Sequence, residues 1–409
     1  MFNKKLNLAI LICIIAIGML TGCSTNENAS QEVAELTFEE WANQELVWPE
    51  WAEPIQVEIN EETRKGPTSV RKTFDIETAR ENIAKIRYLV ENSEDTDEYP
   101  YHNIWKSNLG NGLLKLGENH LAYHYLNEIV NLSPDANYGT EKVDGKRVIE
   151  PIGETLAQKI AHGRMLKAIA KAGYGDEVMS RYEEYDYETN GEVFSWQLTS
   201  AAWAMGLIGE EEEAYKLFEY GISPENFNDL KPWQASSNVL AASSYAYAKG
   251  DYDKVFDFTE KLILEGIDST NPAYFLDNDL KSGRKAKYFN RHWKSCYQLA
   301  EGFRELATKA KNGEIATFTD LKDGVYTSSN TGYMLTPIDV TVTVKDGKVI
   351  DIKATQEEPR EDRSGTALES LPPRIVEAQS LDVDVISSAT ISSESIKMGV
   401  AKALLQAKK

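Results

Sequence analysis

The stretch Pro337-Ile-Asp-Val-Thr-Val-Thr-Val344, Lys345-Asp346-Gly347, Lys348-Val-Ile-Asp-Ile-Lys-Ala354 alternates apolar and polar residues on either side of Asp346-Gly347. Successive side chains of a strand point to opposite faces, so this alternation predicts two half-buried strands, and Asp-Gly is a strong two-residue hairpin signal. From about Asp75 to Lys311 the pattern is different: apolar residues recur three and four apart, as on amphipathic helices. The change of period near Asn312 divides the chain, and 409 residues are too many for one ordinary core. The expectation is a multidomain protein, an all-α solenoid followed by a small α+β domain.

Around the hairpin, Gly324-Val-Tyr-Thr-Ser-Ser-Asn330 reads as a preceding strand. Leu368 to Gln379 reads as a helix interrupted by Pro372-Pro373, Val383 to Ile386 as a last short strand, and Ser393 to Ala407 as a closing helix with Ile396, Val400, Ala403 and Leu404 on one face. Between the last two lies Asp384-Val-Ile-Ser387-Ser388-Ala389-Thr390-Ile-Ser392-Ser393-Glu394. Its small hydroxylated residues suit a helix N-cap cluster. They equally suit an anion site, because hydroxyls and free backbone N–H groups meet at a helix start.

In the helical part, Gly110, Leu113, Gly117, Ala122, Leu126, Ile129 and Pro134 are spaced as in two antiparallel helices meeting at a glycine. Gly209 to Phe218 and Gly250-Asp-Tyr252-Asp-Lys-Val255 repeat the second half, and Gly175 opens a weaker copy. These spacings resemble a tetratricopeptide repeat, which implies a binding scaffold. Two stretches interrupt it: a hairpin-like segment from Tyr138 to Pro151, and a basic loop from Pro272 to Phe289 with Lys281, Arg284, Lys285 and Lys287. His120 and His124 share a helix face but lack a third ligand, so packing or surface roles are expected. The sequence has no Gly-rich phosphate loop, nucleophile elbow or CxxC, and suggests neither a catalytic residue nor a metal site.

The first 22 residues combine Lys4 and Lys5 with an apolar run from Leu6 to Leu20, the pattern of a signal peptide. The run ends Leu20-Thr21-Gly22-Cys23, which resembles the bacterial lipobox. That resemblance implies cleavage before Cys23, lipid attachment to its thiol, and a protein anchored to the extracytoplasmic face of a cell membrane. A polar tether follows, then a segment carrying Trp41, Trp48 and Trp51, which are expected to be packing anchors. With Cys13 in the leader and Cys23 lipidated, no disulfide framework remains, and Cys296 reads as a buried small hydrophobe. A net charge of -21 argues against nucleic acid as a partner.

Four pieces of the C-terminal part resemble the FMN-binding domain of bacterial extracytoplasmic flavoproteins, among them subunits of Na⁺-pumping and Rnf-type oxidoreductases. Asp323-Gly324-Val-Tyr326 is similar to the family's D-G-x-Y, and Ile338 to Ile352 to its hairpin. Leu371-Pro372-Pro-Arg374-Ile-Val-Glu377-Ala378 is similar to L-P-x-x-I-x-E-A, and Asp384 to Ser393 to D-x-x-[ST]-G-A-T-x-[ST]-S. The resemblance runs from about Thr319 to Ala407. It implies FMN as cofactor, joined through its phosphate to the hydroxyl of Thr390 by a Mg²⁺-dependent flavin transferase. Ser387, Ser388 and Ala389 would leave room for the phosphate, Ser392 and Ser393 would donate to it, Asp384 would be the motif's acid, and Tyr333 would cover the ring. Ser388 stands where the motif has glycine, and a left-handed backbone there costs a serine about 1 kcal/mol.

The expected layout is therefore a leader (1–22), a lipidated cysteine with tether and Trp-rich segment (23–74), a tetratricopeptide-like helical domain (75–312) and an FMN-binding domain (313–409). The implied function is electron transfer from a membrane dehydrogenase or quinol, with the helical domain docking a protein partner; a self-sufficient reductase is less favoured. The competing reading is a non-redox adaptor whose C-terminal domain has lost the flavin.

Overall fold

The computed structural model describes residues 36–59, 76–144, 146–154, 157–185, 187, 195–222, 232–263, 284–357, 364–386 and 389–409. The leader, Cys23, Ser387 and Ser388 lie outside these residues, as does the basic loop up to Gly283. The unit ending at Trp41 holds most of the short helix α1 (Phe38–Ala42), where the Phe38 and Trp41 rings lie 5.8 Å apart. The remainder, from Ala42 on, forms a second unit.

That second unit begins with two tryptophans laid on a helix. The Arg87 guanidinium lies 4.0 Å from the centre of the Trp48 ring and Arg80 5.5 Å from that of Trp51, both from α2 (Ile76–Glu91). The helices that follow are α3 (His102–Leu116), α4 (Asn119–Val130), α5 (Ala157–Lys171), α6 (Gly175–Tyr185), α7 (Ser195–Leu207), α8 (Glu211–Ile222), α9 (Pro232–Lys249), α10 (Tyr252–Ile263) and α11 (Arg284–Lys311). Each packs on its chain neighbours, and α5 also packs on α7 and α9 on α11. Gly117, Gly209 and Gly250, at the joints picked out by the repeat spacing, adopt φ of 89°, 89° and 78°, where a Cβ would be strained. The hairpin expected between Tyr138 and Pro151 is present as β1 (Asn137–Val143) and β2 (Lys146–Pro151).

The C-terminal part is a three-stranded antiparallel sheet in the order β3 (Gly324–Thr331), β4 (Pro337–Lys345), β5 (Lys348–Thr355). Ile338, Val340, Val342 and Val344 of β4 are buried, as the alternation requires. Asp346 and Gly347 take φ of 53° and 73°, the twist a two-residue hairpin needs. The D-G-x-Y piece closes this end: the Gly347 N–H donates to the Asp323 carboxylate at 3.0 Å, and the Tyr326 hydroxyl to the Lys322 carbonyl at 3.0 Å.

Two helices complete this part. Helix α12 (Gly365–Ala378) packs on β5 and runs unbroken through Pro372-Pro373, where an interruption is expected from the sequence. The segment Val383–Ile386 is not a strand. The last helix, α13 (Thr390–Ala407), begins three residues earlier than its apolar pattern suggests. One side of it packs on β3 and β4, while other sides meet α9, α11 and α12. It is therefore buried nearly all round, including Ser392, Ser393, Glu394, Ser395 and Lys397. Gly399 allows the close approach to the sheet, since a Cβ there would lie 2.5 Å from Val340 Cγ2. A Gly399→Val change is expected to destabilise the protein by about 1–3 kcal/mol through overpacking, seen as a lowered midpoint of thermal unfolding.

Candidate functional site

Thr390 is the first residue of α13 and is half-buried. Ala389, before it, has no side chain able to cap the helix. The chain folds back tightly here: the Ala389 N–H donates to the Ile386 carbonyl at 2.9 Å, and the Ile386 N–H to Ser393 Oγ at 3.1 Å. Ser393 is thus spent on holding the incoming segment against the first turn. Ser392 is 1% exposed, and its hydroxyl has no partner among the described residues. An uncapped helix start that carries a half-buried threonine, with a spare buried hydroxyl in the same first turn, fits a phosphate ester.

Asp384 lies two residues before Ile386. It is buried between two lysines of α5, with Lys167 Nζ at 2.5 Å from Oδ1 and Lys171 Nζ at 2.7 Å from Oδ2. Burial pushes its carboxyl up, but the two ammonium groups outweigh this and hold it well below the usual carboxylate range. Lys167 is pushed down to about 8, by burial first and then by Lys171 and Arg374, against the pull of Asp384. Asp384 thus joins the C-terminal part to the helical part, a role not visible in a local motif.

One and two turns into α13, Glu394 and Lys397 are buried as well. Glu394 Oε2 accepts from Ser244 Oγ of α9, and Lys397 Nζ lies 4.5 Å from the centre of the Trp203 ring of α7. Burial pushes Glu394 up to about 7, opposed by Lys397 and Ser244 and helped by Asp384. Neither residue stood out in the sequence. The only signal was charge in the first half of a closing helix whose other residues there are small or apolar.

Tyr333 lies in a short turn, Tyr333–Leu335, between β3 and β4. Two consecutive non-glycine residues there are left-handed, Met334 at φ 59° and Leu335 at φ 64°. Strained backbone of this kind is concentrated at functional sites. The turn is pinned to α11: Ser295 Oγ accepts from the Leu335 N–H at 2.9 Å, and the His292 ring meets Tyr333 edge-on at 5.8 Å. Gly302 of α11 lies against Met398, and Glu305 interacts with Lys402, so α11 and α13 run in the same direction. His292 and Ser295, earlier on α11, therefore place the Tyr333 turn toward the Thr390 end of α13. Tyr333 itself is buried, so its ring is packed against the protein.

The remaining candidates stand apart. His124 Nε2 pairs with Glu128 at 2.9 Å, and no His, Cys, Asp or Glu cluster suited to a metal occurs among the described residues. Cys296 is a free buried thiol pushed up to about 12 by burial. No helix among the described residues is long and apolar enough to cross a membrane.

Comparison with known proteins agrees with this location. Residues 333–405 match the model of the FMN-binding domain family. The chain is similar to the NADH:acrylate oxidoreductase of Vibrio harveyi, 35% identical over 81 residues, which are 20% of this chain and 8% of that protein. It is also similar to an uncharacterized protein of Treponema pallidum (strain Nichols), 34% identical over 102 residues, 25% of this chain and 28% of the relative. The chain thus matches well under a third of either relative's length. No solved structure matches it.

The Glu394 environment has a measurable consequence. The folded protein holds a proton on Glu394 between pH 4.5 and about 7 that the unfolded chain releases, so this group's contribution to stability falls as pH rises through that window and is constant above it. The expected drop is about 3 kcal/mol. Chemical denaturation from pH 4.5 to 8 should show it as the difference between wild type and Glu394→Gln, because His102 and His162, both pushed down to about 4 by burial, add an opposing rise in stability between about pH 4 and 6.5 in both proteins.

Proposed function

We propose that this chain is an electron-transfer flavoprotein whose FMN is joined through its phosphate to Thr390. The observation that carries this reading is the match to the FMN-binding domain together with the position of Thr390. Its hydroxyl stands at an uncapped helix start, in the same first turn as the buried and unpartnered Ser392 hydroxyl. The likeness to part of an NADH:acrylate oxidoreductase supports redox use of the domain. When bound, FMN supplies one- and two-electron chemistry at its ring, and the protein supplies position and surroundings.

In this reading a flavin transferase loads the site. Thr390 Oγ bonds to the flavin-side phosphorus of FAD, the pyrophosphate bond breaks, AMP leaves, and the hydroxyl proton is released. Ala389 gives the phosphate room, Ser392 donates to it, and Ser393 holds the loop in place. Ser387 and Ser388 belong to the same segment. Tyr333 and the strained turn after it form a wall at this end of α13 and leave the ring to be covered from elsewhere.

The membrane reading completes the proposal. Cleavage before Cys23 and lipidation of its thiol would hold the protein on the extracytoplasmic face of the cell membrane, where a dehydrogenase or quinol could reduce the flavin. The helical part, with its tetratricopeptide-like spacings, would dock a protein partner.

Co-expression of the mature chain with a flavin transferase tests the core of this. Intact mass should rise by one FMN less one water, with in-gel flavin fluorescence, and both should be lost in Thr390→Ala. A protein that stays colourless and unmodified under these conditions would favour the non-redox adaptor.

A further inference from the structure

We propose that Lys167 and Lys171 form a phosphate-ester site in which the helical part grips the phosphate of the flavin, so that the FMN-binding domain is incomplete without α5. The inference rests on the reading that Thr390 carries FMN, and it concerns residues outside the matched 333–405 segment.

The charges around Asp384 do not balance. Two ammonium groups face one carboxylate, at 2.5 and 2.7 Å, and all three groups are largely out of water. Such a triad carries one net positive charge. Nearby groups leave the excess in place. Arg374, on α12, adds a third cation, and its Nη2 donates to the Lys115 carbonyl at 2.8 Å, a neutral acceptor. Lys397, farther along α13, lies over the Trp203 ring and adds no anion to the triad. The second carboxylate within reach, Glu394, is held near neutrality by burial and binds Ser244. Uncompensated buried charge is costly, so a cluster with surplus cations is built for an anion.

The surplus lies where a phosphate would be placed. The bonds from the Ala389 N–H to the Ile386 carbonyl and from the Ile386 N–H to Ser393 Oγ hold the residues that follow Asp384 against the start of α13. The free N–H groups of that first turn add their own positive potential. Ser392 Oγ is buried there without a partner. A phosphodiester carries one negative charge, the amount the Lys167–Asp384–Lys171 triad lacks. A lysine gives up its proton readily when buried among cations and holds it when an anion arrives, as the lowered Lys167 anticipates.

The experiment uses the full mature chain, with and without flavin transferase. Intact mass reports whether Thr390 is loaded, which tests the proposed function by itself. Where loading occurs, thermal midpoints of loaded and unloaded protein are compared. Loading should raise the midpoint in the wild type. Lys171→Gln, which leaves Lys167 paired with Asp384, should lose at least about half of that rise, Lys171→Arg should restore it, and Asp384→Asn should keep or enlarge it. An equal rise in wild type and Lys171→Gln, both fully loaded, overturns the site. Where no loading occurs, unmodified protein is titrated with FMN, riboflavin and inorganic phosphate. The site predicts FMN at least about tenfold tighter than riboflavin, from charge-assisted hydrogen bonds to its phosphate. Inorganic phosphate should compete, and Lys171→Gln should abolish the preference. Equal binding of the two flavins, or no binding of either, overturns it.

Discussion

A carboxylate without water needs its charge met at close range, and Asp384 has this need met by a helix from the other half of the chain. Removing one partner of such a buried pair costs about 3–5 kcal/mol, because the other is left charged and dry. The contact therefore constrains more than it stabilises. An interface closed by Asp384 with Lys167 and Lys171, by Lys249 with Asp382 and by Glu394 with Ser244 admits one register between the two parts. Apolar surfaces alone would tolerate several, since burial has no direction.

Helix α13 is where this constraint and the fold meet. Against the sheet it presents Gly399 and its apolar neighbours, and the fit there is steric. Against α7 and α9 it presents Glu394 and Lys397, and the fit there is chemical. A helix with one such face on an isolated small domain would leave charged groups in solvent at no cost. The observed burial of both faces makes the C-terminal part dependent on the helices that precede it.

This explains what could be read from the sequence and what could not. The hairpin was legible because Asp346-Gly347 and the β4 alternation are local, and Trp48 and Trp51 act as anchors as their type suggested. The helix joints were legible for the same reason, since a glycine at positive φ announces itself. Val383–Ile386 misled because two valines and an isoleucine around an aspartate have strand composition, yet here Asp384 turns toward α5 and the apolar residues fill the core. The doubled prolines of α12 misled because local propensity yielded to packing on β5. The α13 pattern suggested one buried face because its other face is polar, and no local rule shows that Ser244 or Trp203 waits opposite. Sequence placed Thr390 and Asp384 in one motif. It could not show that Asp384 is held from outside it.

The same burial bears on how the site could be loaded. Asp384, Val385, Ile386, Ala389, Ile391, Ser392 and Ser393 are all buried, and Thr390 is only half exposed. A transferase must enclose the acceptor hydroxyl and an FAD phosphate, which the seated segment leaves little room to do. If Thr390 is the acceptor, the transferase meets the segment before α5 and α9 close on it, or during an opening that separates Asp384 from its lysines. Closure then follows transfer, and each lysine exchanges water for a carboxylate and, in the proposed site, a phosphate. The order matters energetically: ions are desolvated once their partners have arrived, so the cost of burying them is met at the step that also buries the flavin's charge. A motif that in this proposal would open to be modified and shut to be used would be served better by an ionic seam than by an apolar one, because water can solvate an opened ion pair but not an opened core.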